Sequence, residues 1–326
     1  STADLKLIRN IGVIAHIDAG KTTTTEHLLY YAGEKHKLGG VDEGTTETDY
    51  DQEEQERGIT IYSACVPFKW AGHNLNLIDT PGHVDFGYEV SRAMNACEGA
   101  ILVVDATQGI EAQTLANLYS ALDADLEIVP VINKIDLPSA DPDKVAEDIV
   151  SLLGGDADDI LRISAKNNIN IQAVLEKVVE RVPPPKGDPN APLRALIFDT
   201  HYDAYKGVIA YIRVVDGEIN ANDTLRLMAT KIDVKPVEIG IFAPMMKVTK
   251  NIGAGEVGYI ATGLKTIQDC RVGDTITQAK GPASEPLPGY RTPKPMVFAG
   301  IYPVVAEEYS ELRDGLEKLQ LNDASL

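Results

Sequence analysis

The first 180 residues alternate between short apolar runs and segments in which apolar residues recur at helical spacing. The clearest apolar runs are IGVIAHI (11–17), GAILVVDAT (99–107) and EIVPVINKID (127–136), whereas NLNLIDT (74–80) alternates. Uninterrupted runs are typical of parallel strands that are covered on both faces. Helical spacing marks TTTEHLLYYAG ending at Gly33, EAQTLANLYSALDA (111–124), DPDKVAEDIVSLLGG (141–155) and NIQAVLEKVVERV (170–182). The pattern predicts a doubly wound, mostly parallel α/β domain over residues 1–186.

The pattern changes after PPPKGDPNAP (183–192), whose proline content predicts a stiff, partly extended linker. Short apolar segments separated by Gly, Asn and Asp follow, as expected for antiparallel strands joined by turns. These segments are GVIAYIRVVDGEI, DTLRLMAT, PVEIGIF, EVGYIATGL and VGDTIT. We expect an antiparallel β-barrel or sandwich over residues 192–283, as a second domain.

The last part of the chain, residues 293–326, predicts one strand and one helix. The strand is MVFAGIYPV (296–304), and the helix with its tail is EEYSELRDGLEKLQLNDASL (307–326). One strand and one helix cannot bury a core by themselves. We therefore expect a partial α+β third domain, which either docks on its neighbours or begins a larger domain.

Charge and cysteine content narrow the classes of partner. The net charge is -19, and residues 1–186 hold 15 Lys and Arg against 31 Asp and Glu (15 − 31 = −16). An acidic front half argues against a broad nucleic-acid-binding face, so we expect little direct nucleic-acid binding. No stretch approaches the roughly 20 apolar residues that span a bilayer. The widely spaced Cys65, Cys97 and Cys270 predict buried thiols in a reducing compartment.

The segment AHIDAGKTTTT (15–25) lies between the first predicted strand and the first predicted helix. A phosphate loop needs backbone N–H groups at a helix N-terminus, a lysine that reaches the outer phosphates, and a hydroxyl for magnesium. Gly20, Lys21 and Thr22 meet these needs, although Ala15 stands where the usual motif has its first glycine. The same residues also suit a threonine-rich helix start with an exposed lysine.

Two further motifs point to magnesium and to a γ-phosphate. Asp79 in LIDTPGH ends a predicted strand and could hold magnesium through water, and Gly82 could offer its N–H to the phosphate. A turn-forming Asp before Thr-Pro-Gly is the plain alternative. Thr60 in EQERGITI could bind magnesium and sense the γ-phosphate. Loss of that phosphate would then release the loop. The preceding loop, residues 42–56, carries eight acidic residues and no basic one; it is a solvated segment, a partner contact, or both.

The motifs NKID (133–136) and SAK (164–166) predict which base is bound. Asp136 could accept from N1–H and N2–H₂ of guanine, a donor pair that adenine lacks, and an unpaired carboxylate would reject adenine. The backbone N–H groups of SAK could donate to the guanine O6. The phosphate loop, LIDTPGH, NKID and SAK each follow a predicted strand, and open α/β sheets bind ligands at the carboxyl ends of their strands. The sequence therefore predicts a guanine nucleotide site.

These motifs together resemble the translational GTPases. Residues 74–145, with YDAYKGVIAYIRVVDGEI and KPMVFAGIYPV, are similar to the elongation factor 4 (LepA) family, whereas residues 22–60 look more like elongation factor G. The resemblance implies a P-loop GTPase that uses GTP/GDP and Mg²⁺ and is stimulated by the 70S ribosome. It also implies a cytoplasmic protein that can associate peripherally with the membrane; we expect a monomer. The family continues through further domains that contact ribosomal and transfer RNA, whereas this chain ends at Leu326.

The resemblance also assigns catalytic and metal-binding roles. His83 would orient the water that attacks the γ-phosphate, with Lys21 and Gly82 completing the catalytic set; a solvent-facing histidine in a turn is the alternative. Magnesium would be held by Thr22, Thr60 and Asp79. The remaining histidines show no metal-ligand spacing, and we expect His16 to pack near the loop.

The nucleotide-binding residues implied by the resemblance come from three loops. They are Asp18, Ala19, Gly20, Lys21, Thr22 and Thr23, then Asn133, Lys134 and Asp136, and finally Ser164, Ala165 and Lys166. Ile17 and Ile59 would form an apolar gate beside the attacking water, or would be ordinary core residues. Asp18 would contact a monovalent cation or the switch loop, or would make only a local turn hydrogen bond.

Three functions remain open on the sequence. The first is a ribosome-stimulated GTPase of the elongation factor 4 type. The second is a guanine nucleotide-binding module with slow intrinsic hydrolysis and no ribosomal coupling. The third is an adenine-nucleotide P-loop enzyme, against which Asp136 argues.

Overall fold

The computed structural model describes residues 4–33, 64–79, 87–203, 205–243, 245–288 and 299–320. The chain divides into two compact units: residues 3–186 with 242–246, and residues 187–241 with 247–326.

The first unit is built on one six-stranded sheet. Its strands are β1 (Ile8–Ala15), β2 (Ala64–Trp70), β3 (His73–Asp79), β4 (Gly99–Asp105), β5 (Glu127–Asn133) and β6 (Leu161–Arg162). The strand order is β2-β3-β1-β4-β5-β6, and every neighbouring pair is parallel except β2 and β3. The predicted mostly parallel sheet is confirmed, with one antiparallel strand added at its edge.

Helices cover both faces of this sheet. They are α1 (Lys21–Tyr31), α2 (Gly87–Met94), α3 (Ala112–Asp123), α4 (Pro142–Leu153) and α5 (Ile171–Arg181). In β4, Ile101 and Val103 join a core cluster with residues of α1 and α5, whereas the buried Leu102 and Val104 lie outside that cluster. Because side chains alternate along a strand, the second pair points to the other face, where α3 and α4 contact β1, β4 and β5. This two-sided burial explains the uninterrupted apolar runs.

The helix α2, the strand β2 and the start of β1 were not predicted. In β2 and at the start of β1, proline or polar residues interrupt the pattern. β1 begins at Ile8, earlier than the apolar run, because Asn10 is buried with partners of its own. Its Nδ2 donates to Glu98 Oε2 at 2.9 Å, and its Oδ1 accepts from Asn76 Nδ2 at 2.7 Å. β2 contains Pro67, which a sheet tolerates at an edge where an N–H is not required.

The second unit is built mainly of antiparallel strands, two of which also contain residues of the range 242–246 that is grouped with the first unit. The strands are β7 (Arg194–Asp203), β8 (Gly207–Asp216), β9 (Glu218–Asn220), β10 (Leu225–Leu227), β11 (Asp233–Val234), β12 (Glu238–Ala243), β13 (Met245–Val248), β14 (Asn251–Gly253), β15 (Val257–Ala261) and β16 (Thr275–Gln278). Eight of them follow the order β11-β10-β16-β7-β8-β15-β12-β13, and β14 pairs with β9. The predicted antiparallel β architecture is confirmed; β7, β11, β13 and β14 were not predicted. A core cluster that includes Ile197, Ile212 and Ile260 lies within it.

The end of the described chain corrects one prediction. Residues 299–304, which fall in the predicted strand 296–304, are not a strand, and Val304 is fully exposed. A strand needs a neighbouring strand for its N–H and C=O groups, and an apolar sequence alone does not supply one. The predicted helix forms as α6 (Tyr309–Gln320). No helix in the described ranges is long and apolar enough to cross a bilayer.

The three cysteines are free and buried, as predicted. Burial raises the pKa of the Cys65 and Cys270 thiols to about 12. Such thiols stay protonated and unreactive at neutral pH, so they pack as small apolar residues.

Candidate functional site

The loop between β1 and α1 has the backbone shape that a phosphate loop requires. Gly20 caps α1 with a φ of 87°, in the left-handed region that favours glycine. A Cβ at this position would lie 2.3 Å from Asn133 Nδ2, so any side chain would also collide. The Thr24 N–H and hydroxyl both donate to the Gly20 carbonyl, which starts the helix. Because the first N–H groups of a helix lack intrahelical partners, this loop is a cradle for an anion.

The lysine at the head of α1 is paired with the carboxylate at the end of β3. Lys21 Nζ lies 2.6 Å from Asp79 Oδ1; Lys21 is 8% exposed and Asp79 is fully buried. The prediction that both lie at one edge of the sheet is therefore confirmed. Their mutual attraction offsets the desolvation of two buried charges. A lysine that can turn to a phosphate and a carboxylate that can turn to a cation are thus already side by side.

The oxygen ligands at this point suit magnesium. Thr22 follows Lys21 in the first turn of α1, and Asp79 supplies a carboxylate. Mg²⁺ prefers oxygen ligands, and it binds through one or two protein groups together with substrate phosphates. In the described ranges, no group of three or more His, Cys, Asp or Glu side chains could hold a metal ion without further ligands. The donor chemistry therefore fits a magnesium ion that is shared with a bound phosphate.

A single buried amide joins the phosphate loop to the two loops predicted to bind the base. Asn133 Nδ2 donates to the Ala19 carbonyl at 2.9 Å, and Asn133 Oδ1 accepts from the Ala165 N–H at 3.0 Å. Asn133 is 2% exposed and Ala19 is fully buried. The motifs GK, NKID and SAK, which are far apart in sequence, therefore form one continuous site, as their positions after predicted strands suggested.

Asp136 lies at the rim of this site with its side chain exposed. Its Oδ1 accepts a hydrogen bond of 2.6 Å from the hydroxyl of the buried Ser164. Lys166, the last residue of SAK, is exposed. The structure thus brings the predicted acceptor for a base edge beside SAK, but it corrects the prediction that the SAK backbone faces the base. The Ser164 N–H donates to the Ile169 carbonyl at 3.2 Å and the Ala165 N–H donates to Asn133 Oδ1 at 3.0 Å, which leaves the Lys166 N–H as the candidate donor to the guanine O6.

Asp105 is a buried charge in this neighbourhood that sequence reasoning missed. It ends β4, is fully buried, and lies 2.7 Å from Lys134 Nζ through its Oδ2. Asp79 and Asn133 end β3 and β5 in the same way. The rule that ligands bind at the carboxyl ends of strands would have found Asp105 had it been applied to β4.

The residues that precede Gly20 divide into buried and exposed positions. His16 is buried and its Nδ1 lies 3.3 Å from the hydroxyl of Thr114, so the prediction that it packs near the loop is confirmed. Ile17 is 37% exposed, and its interpretation as an ordinary core residue is wrong. Asp18 is exposed with a φ of 62°. Ile17 and Asp18 therefore belong to the surface of the loop.

Several predicted site residues lie outside the described residues. They are Ile59, Thr60, Gly82 and His83, together with the acidic loop 42–56. Their roles stay predictions.

Comparison with known proteins adds the family context. The family model for the elongation factor Tu GTP binding domain matches residues 6–184, and the one for elongation factor Tu domain 2 matches residues 207–277. An elongation factor 4 from Acetivibrio thermocellus is 57% identical over 327 residues, which are 98% of this chain and 54% of that relative. An elongation factor 4 from Bifidobacterium animalis subsp. lactis is 53% identical over 99% of this chain and 52% of that relative. The chain therefore spans about half the length of the curated relatives it matches.

A crystal structure of a protein from Thermus thermophilus has a similar fold. Its TM-score is 0.82 at 23% identity, and the match covers 98% of this chain and 62% of that chain. At this level of identity the likeness shows the fold alone.

Proposed function

The chain belongs to the translational GTPases, the family that carries the elongation factor Tu GTP-binding domain, and on that premise we propose that it binds and hydrolyses GTP in an elongation factor 4-type step on the ribosome. The observation that carries the proposal is the bridge made by Asn133. One amide fixes the phosphate loop and the base-binding loop at once. The loops that bind the base and the phosphates are thereby held in a fixed relative position, as a nucleotide hydrolase requires.

At the phosphate end, Gly20 and the start of α1 would bind the β-phosphate by backbone N–H groups. Lys21 would exchange its contact with Asp79 for the outer phosphate oxygens, and Thr22 and Asp79 would hold magnesium. When bound, that ion would neutralise the negative charge that builds up on the β- and γ-phosphate oxygens. The contact of 2.6 Å between Lys21 and Asp79 supports this exchange, since it places both charged groups together beside the start of α1.

Hydrolysis would depend on His83, Gly82 and Thr60, which remain sequence predictions. His83 would orient the attacking water by hydrogen bonds rather than act as a strong base, because the transition state of phosphoryl transfer is loose. Thr60 would sense the γ-phosphate, and Gly82 would donate to it. Ile17, whose side chain is 37% exposed on the loop, supports a role as an apolar gate next to the water.

At the base end, Asp136 would accept from N1–H and the 2-amino group of guanine. Its hydrogen bond from Ser164 supports this role, because it restrains a carboxylate that is otherwise exposed. Asp18, also exposed, is our candidate for contact with a monovalent cation. Exchange of K⁺ for Li⁺ should slow hydrolysis in the unchanged chain and should have little effect in an Asp18→Ala variant.

The test is GTP turnover by the chain alone and with purified 70S ribosomes. Intrinsic turnover should be on the order of 10⁻⁴ to 10⁻² s⁻¹, as for unstimulated GTPases. Ribosomes should raise it at least about 100-fold, and His83→Ala should abolish the stimulation while GDP still binds. Tight GDP binding without stimulation by ribosomes would mean that the chain is a guanine nucleotide-binding module without ribosomal coupling. Equal competition by ATP and GTP would refute the guanine site itself.

A further inference from the structure

Asp105 is held by two sets of donors at the end of β4. Its Oδ1 accepts from the N–H and from the hydroxyl of Thr107, both at 2.7 Å, and its Oδ2 faces Lys134 Nζ at 2.7 Å. Burial by itself opposes ionisation of this carboxyl, but the contacts with Lys134 and Thr107 outweigh it and lower the pKa. Asp105 is therefore a charged side chain with no exposure to solvent.

Lys134, the partner of Asp105, occupies a turn that leads to Asp136. Its φ is 65°, a conformation that residues with a side chain rarely adopt. Its carbonyl accepts from the Leu137 N–H at 3.2 Å, which closes the turn around Asp136. The ion pair with Asp105 thus holds the residue on which this turn depends. β4 and β5 support the arrangement, because Asp105 and Asn133 are direct neighbours in their parallel register.

We propose that Asp105 is a positioning residue for guanine recognition, which acts through Lys134 to fix the turn that aims Asp136 at the edge of the base. The inference rests on the proposed function, since it assumes that Asp136 contacts guanine. Without the ion pair, Lys134 can leave its left-handed conformation and the turn can open. Asp136 then keeps only its hydrogen bond from Ser164 and is less well oriented, while the phosphate loop keeps its own contact through Asn133.

Broken buried ion pairs also destabilise a fold in general, so the test needs a readout that a purely structural role would not move. Inosine diphosphate provides it, because it has the phosphates, ribose and N1–H of GDP but lacks the 2-amino group. A general loss of structure weakens the binding of GDP and of inosine diphosphate equally. If Asp136 no longer points at the edge of the base, the binding of GDP weakens more, because only GDP offers both donors to Asp136.

The principal variant is Asp105→Asn in the full chain. The new amide keeps the volume and an acceptor for Thr107, but it is uncharged and would turn its NH₂ group, another donor, toward the Lys134 ammonium. The matched control is Asp216→Asn, which breaks the ion pair between Arg194 Nη2 and the buried Asp216 Oδ2, 2.6 Å apart, on β7 and β8. Like Asp105, Asp216 also accepts a backbone N–H through its Oδ1. We expect the Kd for GDP to rise about tenfold in Asp105→Asn and that for inosine diphosphate about twofold, and Asp216→Asn should change neither.

A second variant, Lys134→Met, removes the ammonium and keeps most of the stem. It should reduce the preference for GDP over inosine diphosphate, and Asp105→Asn added to it should reduce that preference no further. An unchanged preference in Asp105→Asn, or an undiminished effect of Asp105→Asn in the Lys134→Met background, would overturn the inference. Should Asp105→Asn fail to fold, an unchanged preference in Lys134→Met alone overturns it. An unchanged chain that binds ADP as well as GDP would instead refute the proposed function.

Discussion

Replacement of Asn133 by alanine tests whether one amide organises the whole nucleotide site. The change removes the hydrogen bonds to the Ala19 carbonyl and from the Ala165 N–H. Both partners are almost completely buried, at 0% and 2% exposure, so water reaches them poorly. A buried group left without a partner costs about 1–3 kcal/mol. The free energy of unfolding of the first unit should therefore fall by about 2–4 kcal/mol.

Nucleotide binding should weaken as well, because the phosphate loop and the base-binding loop are no longer held in register. Binding must then order both loops, and we expect the Kd for GDP to rise about 10- to 100-fold. Calorimetric titration with GDP and Mg²⁺ measures the affinity. Urea unfolding followed by fluorescence measures the stability of the first unit alone, because the single tryptophan, Trp70, lies in β2.

Asn10→Ala is the matched control for this prediction. Asn10 is also a fully buried asparagine, and its side chain bonds to Glu98 and Asn76. It lies near the start of β1, whereas the nucleotide site lies at the ends of the strands. The control should lose comparable stability and keep its affinity for GDP. If Asn133→Ala loses stability but binds GDP within twofold of the unchanged chain, the bridge does not organise the site and the reasoning is wrong.

Three further predictions each concern the replacement of one residue. Gly20→Ala should weaken GDP binding about 100-fold, because the new Cβ would lie 2.3 Å from the side chain of Asn133 in a left-handed backbone conformation that strains alanine. The control, Gly33→Ala, has similar backbone strain but no atom within 4 Å of the new Cβ, so it should bind GDP normally in the same titration. Asp136→Asn should shift preference from guanine to xanthine nucleotides in competition assays, because an amide can donate to the xanthine O2. Burial raises the pKa of Cys65 from 9.0 to about 12, so the thiol loses its proton at a lower pH in the unfolded chain than in the folded one. The contribution of Cys65 to the free energy of unfolding should therefore fall as the pH rises from 9 to about 12. Cys65→Ala should flatten that decline in urea unfolding, and an unchanged slope would contradict the assignment.

Much of the fold could be predicted from local pattern, because burial on two faces leaves a direct trace in the sequence. β4 and β5 are uninterrupted apolar runs, and helical spacing identified α3, α4 and α5 within a few residues of their ends. The apolar pattern fails to predict burial where a polar residue is buried through contact with a specific partner. Asn10 is polar yet buried because Glu98 and Asn76 satisfy it. The predicted strand at 296–304 has apolar residues, but residues 299–304 do not form it.

The sequence by itself determined the chemistry of the site, because residue type and position after a strand specify which groups can reach a nucleotide. Lys21, Asp79 and Asp136 were predicted on those grounds, and the structure brings the first two within 2.6 Å of each other. Only the tertiary structure decided how the loops are held together. The double contact of Asn133 and the ion pair of Asp105 join loops that are distant in sequence. Such contacts depend on strand order and register, which no local pattern encodes.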